Sequence, residues 1–344
     1  MYDANPKDYD CQALLGICYN GVGTIHLAVH KSTDTPVVIK KFFIDNKAHD
    51  EYSLVEREIL ITRQLQHPNV LPYVATFVSG LSICAVSPLM GYGSCRDLIT
   101  EYFVEGLPEF AIAFIVRDVL QGLRYIHSRG YIHRAVKASH ILVSLPGRVC
   151  LTGMRYACEI VKNGRWQKHI FSFPKSTANN LSWLSPELLQ QDVRGYNEKS
   201  DTYSLGMTIC ELANGVVPFY NVPKTLMLTE KLRSDSTQII DRTTFQPFAM
   251  NTESGINFGD NNGGRSSSKY QRGSSSHKFS ENLQSLTLLC LQQDPSNRPT
   301  MDQLLSHPFL KQCRKSNGSL ADILKPVEPI NYRNLNSISN TYEV

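Results

Sequence analysis

Short apolar runs separated by turns fill the first quarter of the chain. Runs at 24–29, 36–40 and 81–86 have the length and the β-branched residues that are typical of strands. One stretch between them, 52–66, places its apolar residues on or near one helical face and stops ahead of a proline. The pattern predicts a small layer of strands that carries one helix.

After Gly91 the pattern changes to that of helices. Spacings of three and four residues between apolar positions predict a long, largely buried helix over 110–127. Residues 202–214 are apolar on nearly all sides of a helix, which predicts a helix at the centre of this helical region. Further helical patterns cover 279–292 and 301–306.

These patterns predict an α+β fold of two lobes. The N-lobe, 1–90, is small and β-rich with one regulatory helix, and the C-lobe, 91–314, is larger and helical. Residues 251–276 are so rich in Ser, Gly and Asn that we expect a flexible insertion there. Little periodicity follows in 315–344, which we interpret as a C-terminal tail.

Composition narrows the function classes. A net charge of +4, from 35 basic and 31 acidic residues without a basic block, is only weak evidence for a nucleic-acid partner, and we expect none. Nine scattered cysteines without a Cys-x-x-Cys pair favour neither a disulfide framework nor a zinc site, and they indicate a reducing compartment. The first residues lack the apolar core of a signal peptide, and no apolar run is long enough for a membrane span. We therefore expect a cytoplasmic protein, with the nucleus as a second compartment and with no membrane partner.

The order of motifs matches that of protein kinases. Val37-Val38-Ile39-Lys40 stands where kinases have the V-A-I-K whose lysine holds the ATP phosphates. Glu58 stands where the regulatory helix supplies the glutamate that pairs with this lysine. We expect Lys40 and Glu58 to form that ion pair.

The glycine-rich loop is degraded, and two alignments are open. The pattern G-x-G-x-x-G reads either Cys18-x-Asn20-x-x-Gly23, or it begins at Gly16 with a hairpin that is two residues longer. In both, the backbone approaches phosphates less closely than a loop with all three glycines does.

The catalytic loop decides the chemistry. Residues 133–140 follow the kinase pattern H-R-D-L-K-x-x-N, but Ala135 replaces the catalytic aspartate and His140 replaces the metal-binding asparagine. Kinase spacing puts Gly153 at the metal-binding aspartate of D-F-G. A methyl group cannot accept a hydroxyl proton, and phosphoryl transfer depends on the metal ions that the other two residues would hold. The sequence therefore predicts a pseudokinase without a catalytic residue and without a metal site.

Basic residues surround these replacements. Arg155 follows Gly153 by two positions, Lys137 is retained, and a protonated His140 would add a third positive charge. We hypothesise that ATP binds here without Mg²⁺. The alternative is an empty pocket with Arg155 in solvent.

Five further residues belong to the scaffold of the fold. Glu187 of Ser185-Pro186-Glu187 and Arg298 are expected to form a buried ion pair. Asp201 is expected to anchor the backbone around His133 and Arg134.

Several segments together are similar to the sterile-20-related adaptor (STRAD) pseudokinases. They include the loop from His133 to Leu142, Trp183 to Gln191, and Met90-Gly91-Tyr92-Gly93-Ser94. The resemblance covers about 14–314. It implies a protein that binds ATP and allosterically activates a Ser/Thr kinase of the liver kinase B type, in a ternary complex with a helical-repeat scaffold protein. It also implies nucleotide-binding roles for a set of residues: Leu15, Val22, Val38, Lys40, Glu58, Pro88, Met90, Lys137, His140, Leu142 and Arg155.

The tail is a point of departure from this family. Family members usually end in Trp-Glu-Phe, which binds the scaffold, whereas this chain has Tyr342-Glu343-Val344. An aromatic side chain and an acid remain, so we expect docking with reduced affinity. The alternatives to the activator role are a weak unconventional Ser/Thr kinase and a nucleotide-free scaffold or decoy.

Overall fold

The fold is described from a computed structural model. The structure describes residues 2, 4–18, 21–44, 49–174, 179–233, 279–315 and 318–330. The predicted insertion at 251–276 and the tripeptide Tyr342-Glu343-Val344 lie outside these residues.

The N-lobe is a five-stranded antiparallel sheet with one helix packed on it. The strand order is β1-β2-β3-β5-β4. Its elements are β1 (Tyr9–Cys18), β2 (Gly23–His30), β3 (Thr35–Phe43), α1 (His49–Gln64), β4 (Ala75–Ser79) and β5 (Ser82–Pro88). The alternation of apolar residues in β3 buries Val37 and Ile39 on one face and turns Val38 and Lys40 to the other. The sequence pattern thus places the lysine on the cleft side of the sheet.

The C-lobe is helical, with short strands at its upper surface. Its helices are α2 (Cys95–Glu101), α3 (Glu109–Ser128), α4 (Pro186–Leu189), α5 (Lys199–Asn214), α6 (Lys224–Arg233), α7 (Glu281–Cys290), α8 (Met301–Leu305), α9 (Gln312–Lys315) and α10 (Leu320–Leu324). Its strands are β6 (Gly93–Ser94), β7 (Tyr131–Ile132), β8 (Ile141–Val143), β9 (Val149–Leu151), β10 (Cys158–Glu159), β11 (Val161–Lys162) and β12 (Arg165–Trp166).

The helices α3 and α5 form the centre of this lobe. Twelve residues of α3 are buried, and every residue of α5 after Lys199 is buried, as its apolar pattern predicts. Gly215 ends α5 with a positive φ of 72°, a conformation that glycine adopts without a steric penalty.

Part of the predicted tail belongs to the C-lobe. Leu320, Leu324 and Val327 are buried in its main core, and the Ile330 N–H donates to the Gly91 carbonyl at 2.9 Å. The boundary after residue 314 is therefore too early. Apolar residues in this short segment carried too weak a periodicity for its helix to be predicted.

Candidate nucleotide site and catalytic loop

The ion pair expected between β3 and α1 is present. Lys40 Nζ lies 3.3 Å from Glu58 Oε1, and the glutamate is almost fully buried. Tyr73 completes the group, since its hydroxyl donates to Glu58 Oε1 at 2.6 Å and accepts from Lys40 Nζ at 3.3 Å. Burial raises the pKa of Tyr73, so the hydroxyl stays a donor at neutral pH. Tyr73 was not predicted from the sequence, because its loop has no kinase motif.

The register of the β1–β2 hairpin decides between the two glycine-loop alignments. Gly16 lies opposite Ile25, and Cys18 lies opposite Gly23. In G-x-G-x-x-G-x-V with a two-residue turn, positions 1 and 8 and positions 3 and 6 face each other in this way. The first glycine is therefore Gly16, Cys18 replaces the second, and the turn is two residues longer.

This register corrects one predicted pocket residue. Val22 lies in the lengthened turn, where its carbonyl accepts from the Phe43 N–H. Ile25 instead pairs directly with Lys40 on the neighbouring strand, so its side chain shares the face of the lysine. The G-x-V spacing after Gly23 was the signal that could have identified Ile25.

The thiol of Cys18 fills space beneath the hairpin. A Cβ atom placed on Gly23 would lie 2.7 Å from Cys18 Sγ. Burial raises the pKa of this thiol to about 11, with Lys40, Glu58 and Arg155 near enough to influence it. The neutral side chain thus takes up room on the phosphate side of the cleft.

The remaining predicted pocket residues form the walls between the lobes. Leu15 is half-buried where the β1–β2 register shifts, and Val38 follows the cleft face of β3. Met90 is buried against Leu142 and two neighbours in a small apolar cluster, and Pro88 ends β5 beside it.

The three replaced catalytic positions meet in one place. His140 Nδ1 lies 2.7 Å from the carbonyl oxygen of Ala135. A Cβ atom on Gly153, whose φ is 90°, would approach three atoms of the His140 ring to 2.7–2.9 Å. The imidazole therefore occupies the space where an aspartate side chain at 153 would begin. The replacement of asparagine by histidine and that of aspartate by glycine depend on each other sterically.

His140 does not carry the positive charge that was considered for it from the sequence. Burial, reinforced by Lys137 nearby, lowers its pKa well below the ordinary value, so the ring is neutral at pH 7. Lys137 Nζ donates to the Asn179 carbonyl at 3.1 Å and lies 5.3 Å from the centre of the Trp183 ring. Arg155 is buried rather than in solvent, in the turn Met154–Tyr156 that packs on α1. Lys40, Lys137 and Arg155 are thus the basic groups around the cleft.

Asp201 anchors the start of the catalytic loop, as expected. Its carboxylate accepts from the backbone N–H groups of His133 and Arg134, each at 2.8 Å, and contacts His127 Nε2 at 2.7 Å. Burial alone would raise the pKa of Asp201, but the contact with His127 and the His133 N–H lower it below its usual range. The positive φ of Arg134, 60°, is held by these contacts.

The side chain of Arg134 ties the loop to the segment after Gly153. It donates to the carbonyls of Tyr156 and Ser172 and to the hydroxyl of Tyr196, over 2.5–2.9 Å. These acceptors are neutral, so this order needs no phosphorylated residue.

The second predicted scaffold contact is a two-pronged ion pair. Arg298 Nη1 and Nη2 donate to Glu187 Oε1 and Oε2 at 2.6 and 2.8 Å. Arg298 also lies 5.0 Å from the centre of the Tyr203 ring and is fully buried.

Two buried ionisable residues, Glu211 and Lys231, were not predicted from the sequence. Glu211 accepts from the Ala138 N–H and from Trp183 Nε1, and burial raises its pKa. Lys231 donates to three carbonyls, those of Leu181, Ser182 and Leu184, at 2.6–3.2 Å. Both residues bind partners that are far away in the sequence, so no local motif identifies them.

Among the described residues, no helix is long and apolar enough to cross a membrane. The same part of the chain contains no group of three or more His, Cys, Asp or Glu side chains arranged to hold a metal ion.

Comparison with known proteins gives the family. Residues 15–310 match the protein kinase domain. The chain is 37% identical over 337 residues to the STE20-related kinase adapter protein alpha of Homo sapiens, which covers 94% of this chain and 77% of that protein. This chain belongs to the STE20-related kinase adapter family. The alpha protein of Bos taurus, with 94% and 89% covered, and the beta protein of Homo sapiens, with 95% and 81% covered, are also 37% identical to it.

Membership in the STE20-related kinase adapter family confirms the resemblance inferred from the catalytic loop. The match to the protein kinase domain, together with the β-rich and helical lobes, confirms the predicted bilobal α+β fold. The roles assigned to individual pocket residues stay predictions.

Proposed function

We propose that this adapter-family chain is catalytically inactive, binds ATP, and holds a partner protein kinase in its active conformation. The partner is a Ser/Thr kinase of the liver kinase B type, and a helical-repeat scaffold protein is the third member of the complex. The relatives are named kinase adapter proteins, which supports a kinase as the partner. Activity in the cytoplasm, with the nucleus as a second location, is part of the proposal.

The contacts among Ala135, His140 and Gly153 are the main support for the proposal that this chain does not transfer phosphoryl groups. A kinase needs a carboxylate at the first position to orient the substrate hydroxyl, and it needs ligands for Mg²⁺ at the other two. Here the imidazole fills the space of one metal ligand, and its Nδ1–H donates to the Ala135 carbonyl. Restoring a single residue would therefore not restore the metal site.

Three basic groups support nucleotide binding without a divalent metal. Lys40 stands in the position that holds the phosphates and keeps its partner Glu58. Arg155 lies near enough to Cys18, and Lys137 near enough to His140, to add positive charge at the cleft. Bound ATP would contribute negative charge and lobe closure rather than a transferable phosphoryl group.

The order of the activation segment supports the adaptor role. Arg134 binds only neutral acceptors in this segment, so the surface from Tyr156 to Phe173 is shaped without phosphorylation. A preformed surface can stabilise the active state of a partner that binds it, by as much as the difference in its affinity for the two states.

The decisive experiment measures the activity of the purified partner kinase with and without this chain and the scaffold. We expect strong stimulation by the wild-type chain and weak stimulation by Lys40→Ala. Lys41→Ala is the matched control, because Lys41 lies next along β3 on the opposite face. The absence of stimulation under all conditions would refute the activator role, and phosphoryl transfer by this chain alone would refute inactivity.

Nucleotide binding is tested separately. We expect ATP to raise the melting temperature of the chain equally in EDTA and in Mg²⁺. No shift at millimolar ATP in either buffer would refute the nucleotide site.

A nucleotide-free scaffold is the second candidate, and the half-buried thiol of Cys18 favours it, since the thiol narrows the space below the hairpin. Under that alternative, Lys40→Ala would stimulate the partner as well as the wild type does. Docking of Tyr342-Glu343-Val344 on the scaffold stays a prediction, and deletion of these three residues should weaken capture of the scaffold.

A further inference from the structure

A cavity of about 570 Å³ lies between the end of α1, the loop that leads to β4, the end of β5 and the β8–β9 turn. We call it the hinge cavity, since Pro88 and Met90, which connect the lobes, are among its lining residues. Its volume falls within the range of about 300–1,000 Å³ that is typical of small-molecule sites. The kinase motifs assign it no role.

The accessible apolar surface of the hinge cavity comes from half-buried residues that line it, Pro72, Val74 and Pro88. Leu65, Leu71 and Met90 also line it but are each at most 4% exposed, so they add little accessible surface. An apolar ligand that covers the half-buried residues removes their surface from water, which is favourable. The cavity therefore suits a ligand with an apolar body.

The lining residues carry positive charge without negative charge. Arg63 and Arg148 belong to them, and Asp and Glu do not. Burial lowers the pKa of His67, another lining residue, so this ring adds no charge at pH 7. Asp118 accepts from the N–H of Val149, next to Arg148, but its other oxygen is held by Arg117 at 2.8 Å. Two exposed arginines beside an apolar wall are suited to bind a carboxylate, sulfonate or phosphate group.

We propose that the hinge cavity is a second binding site, for a small organic anion with an apolar body and one acidic group. The apolar body packs against Pro72, Val74 and Pro88, and the acidic group pairs with Arg63 and Arg148. Lys40 is not among its lining residues, although Pro88 and Met90 belong both to this lining and to the predicted nucleotide pocket.

Tyr73 connects the hinge cavity to the proposed nucleotide site. It lines the cavity, and its hydroxyl bonds to both Glu58 and Lys40. A ligand that packs against this residue stabilises the same arrangement of Lys40 and Glu58 that ATP needs, so each ligand strengthens the binding of the other. This coupling rests on the proposed nucleotide site, whereas the binding of the anion does not.

The test uses 8-anilinonaphthalene-1-sulfonate as the probe, because its aromatic body and sulfonate match the two parts of the cavity. Fluorescence titration should give one tight site. In Arg63→Ala/Arg148→Ala its affinity should fall about tenfold, the loss of roughly one charge-assisted hydrogen bond. The matched control is Arg129→Ala/Arg165→Ala, which removes the same charge from two exposed arginines outside the cavity.

A neutral analogue of the probe, N-phenyl-1-naphthylamine, separates charge from apolar contact. It should bind more weakly than the sulfonate and with equal affinity to the wild type and to both double variants. Circular dichroism melting of each variant confirms that it is folded. Equal affinity of the sulfonate for the two double variants would overturn the site.

Addition of ATP completes the test. We expect it to tighten probe binding about fivefold, at the lower end of typical coupling between sites. Competition between ATP and the probe would place the probe in the nucleotide cleft and overturn the proposal. If ATP binds by thermal shift but leaves the affinity of the probe unchanged, the coupling through Tyr73 is refuted.

Discussion

The catalytic loop has two halves that differ in what they retain from the kinase pattern. His133 and Arg134 keep their residue types, and both backbone N–H groups are bound by the buried carboxylate of Asp201. Ala135 and His140, a few residues on, have lost the groups that handle protons and metal ions. The first half shapes the loop and the second would perform chemistry, so the difference supports the proposal that this chain needs the shape of the loop and not its chemistry.

The same contrast extends across the C-lobe. The shape-determining contacts are buried and have several partners each, as for Arg298 with Glu187 and Tyr203. The replaced catalytic positions instead contact one another. Changes in the first group should therefore cost the most stability. Changes in the second group should have smaller effects on stability, which depend on how the replaced residues fit one another.

Arg298→Ala should have the largest effect. It leaves the buried carboxylate of Glu187 without its ion-pair partner, which typically costs about 3–5 kcal/mol in the free energy of unfolding. Urea unfolding measures this loss. The matched control is Arg124→Ala, which breaks a well-formed but exposed pair with Asp302 and should cost less than about 1 kcal/mol. Equal losses for both variants would contradict the assignment of Arg298 to the scaffold.

Gly153→Asp tests the steric dependence between the replaced positions. The new side chain would meet the His140 ring and would require a positive φ, so we expect a loss of about 2–4 kcal/mol. The double variant His140→Asn/Gly153→Asp should recover more than about 1 kcal/mol of this loss, as contacting residues are not additive. It should still transfer no phosphoryl group, since Ala135 remains. Strict additivity in urea unfolding would show that the two positions are independent.

The neutral state of His140 predicts a dependence of stability on pH. Its folded-state pKa is lowered from 6.5, so the unfolded chain binds this proton at a higher pH than the folded chain does. The free energy of unfolding should therefore fall as the pH drops below about 6.5, by up to about 1.4 kcal/mol per pH unit for this histidine. His140→Asn should reduce that slope, measured by urea unfolding between pH 7.5 and 5. His169→Gln, which replaces an exposed histidine by an uncharged residue, is the control.

Cys18→Gly should have the smallest effect, a change in ATP affinity, and it tests whether the thiol restricts the nucleotide site. Removing the thiol beneath the hairpin should tighten ATP binding by roughly 3- to 10-fold, partly offset by the added flexibility of glycine. Calorimetric titration measures the affinity, and Cys11→Gly, an exposed cysteine of the same strand, serves as the control. Weaker binding by Cys18→Gly would mean that the thiol supports the nucleotide instead of restricting it.

Local patterns in the sequence predicted most of the architecture. The alternation in β3 and the three- and four-residue spacings of α3 depend on residues that are close in the chain, so they can be read directly. Motif spacing likewise identified Lys40, Glu58 and the replaced catalytic positions. The α1 boundaries, expected at 52–66 and found at His49–Gln64, show the usual uncertainty at helix ends.

Features that depend on distant partners were not predictable in this way. The choice of Ile25 over Val22 required the register between β1 and β2, which a sequence with a lengthened turn leaves open. Tyr73 and Lys231 have no motif of their own, and their importance comes from the acceptors that the fold places around them.

The sequence by itself determined the family, the two-lobed fold and the absence of the catalytic groups, because these depend on residue identity and local spacing. Only the tertiary structure decided how the replaced residues behave. It placed the imidazole of His140 against Gly153 and buried it beside Lys137, which makes the ring neutral. Charge state and steric fit are properties of an environment, and that environment is assembled from segments that are far apart in the chain.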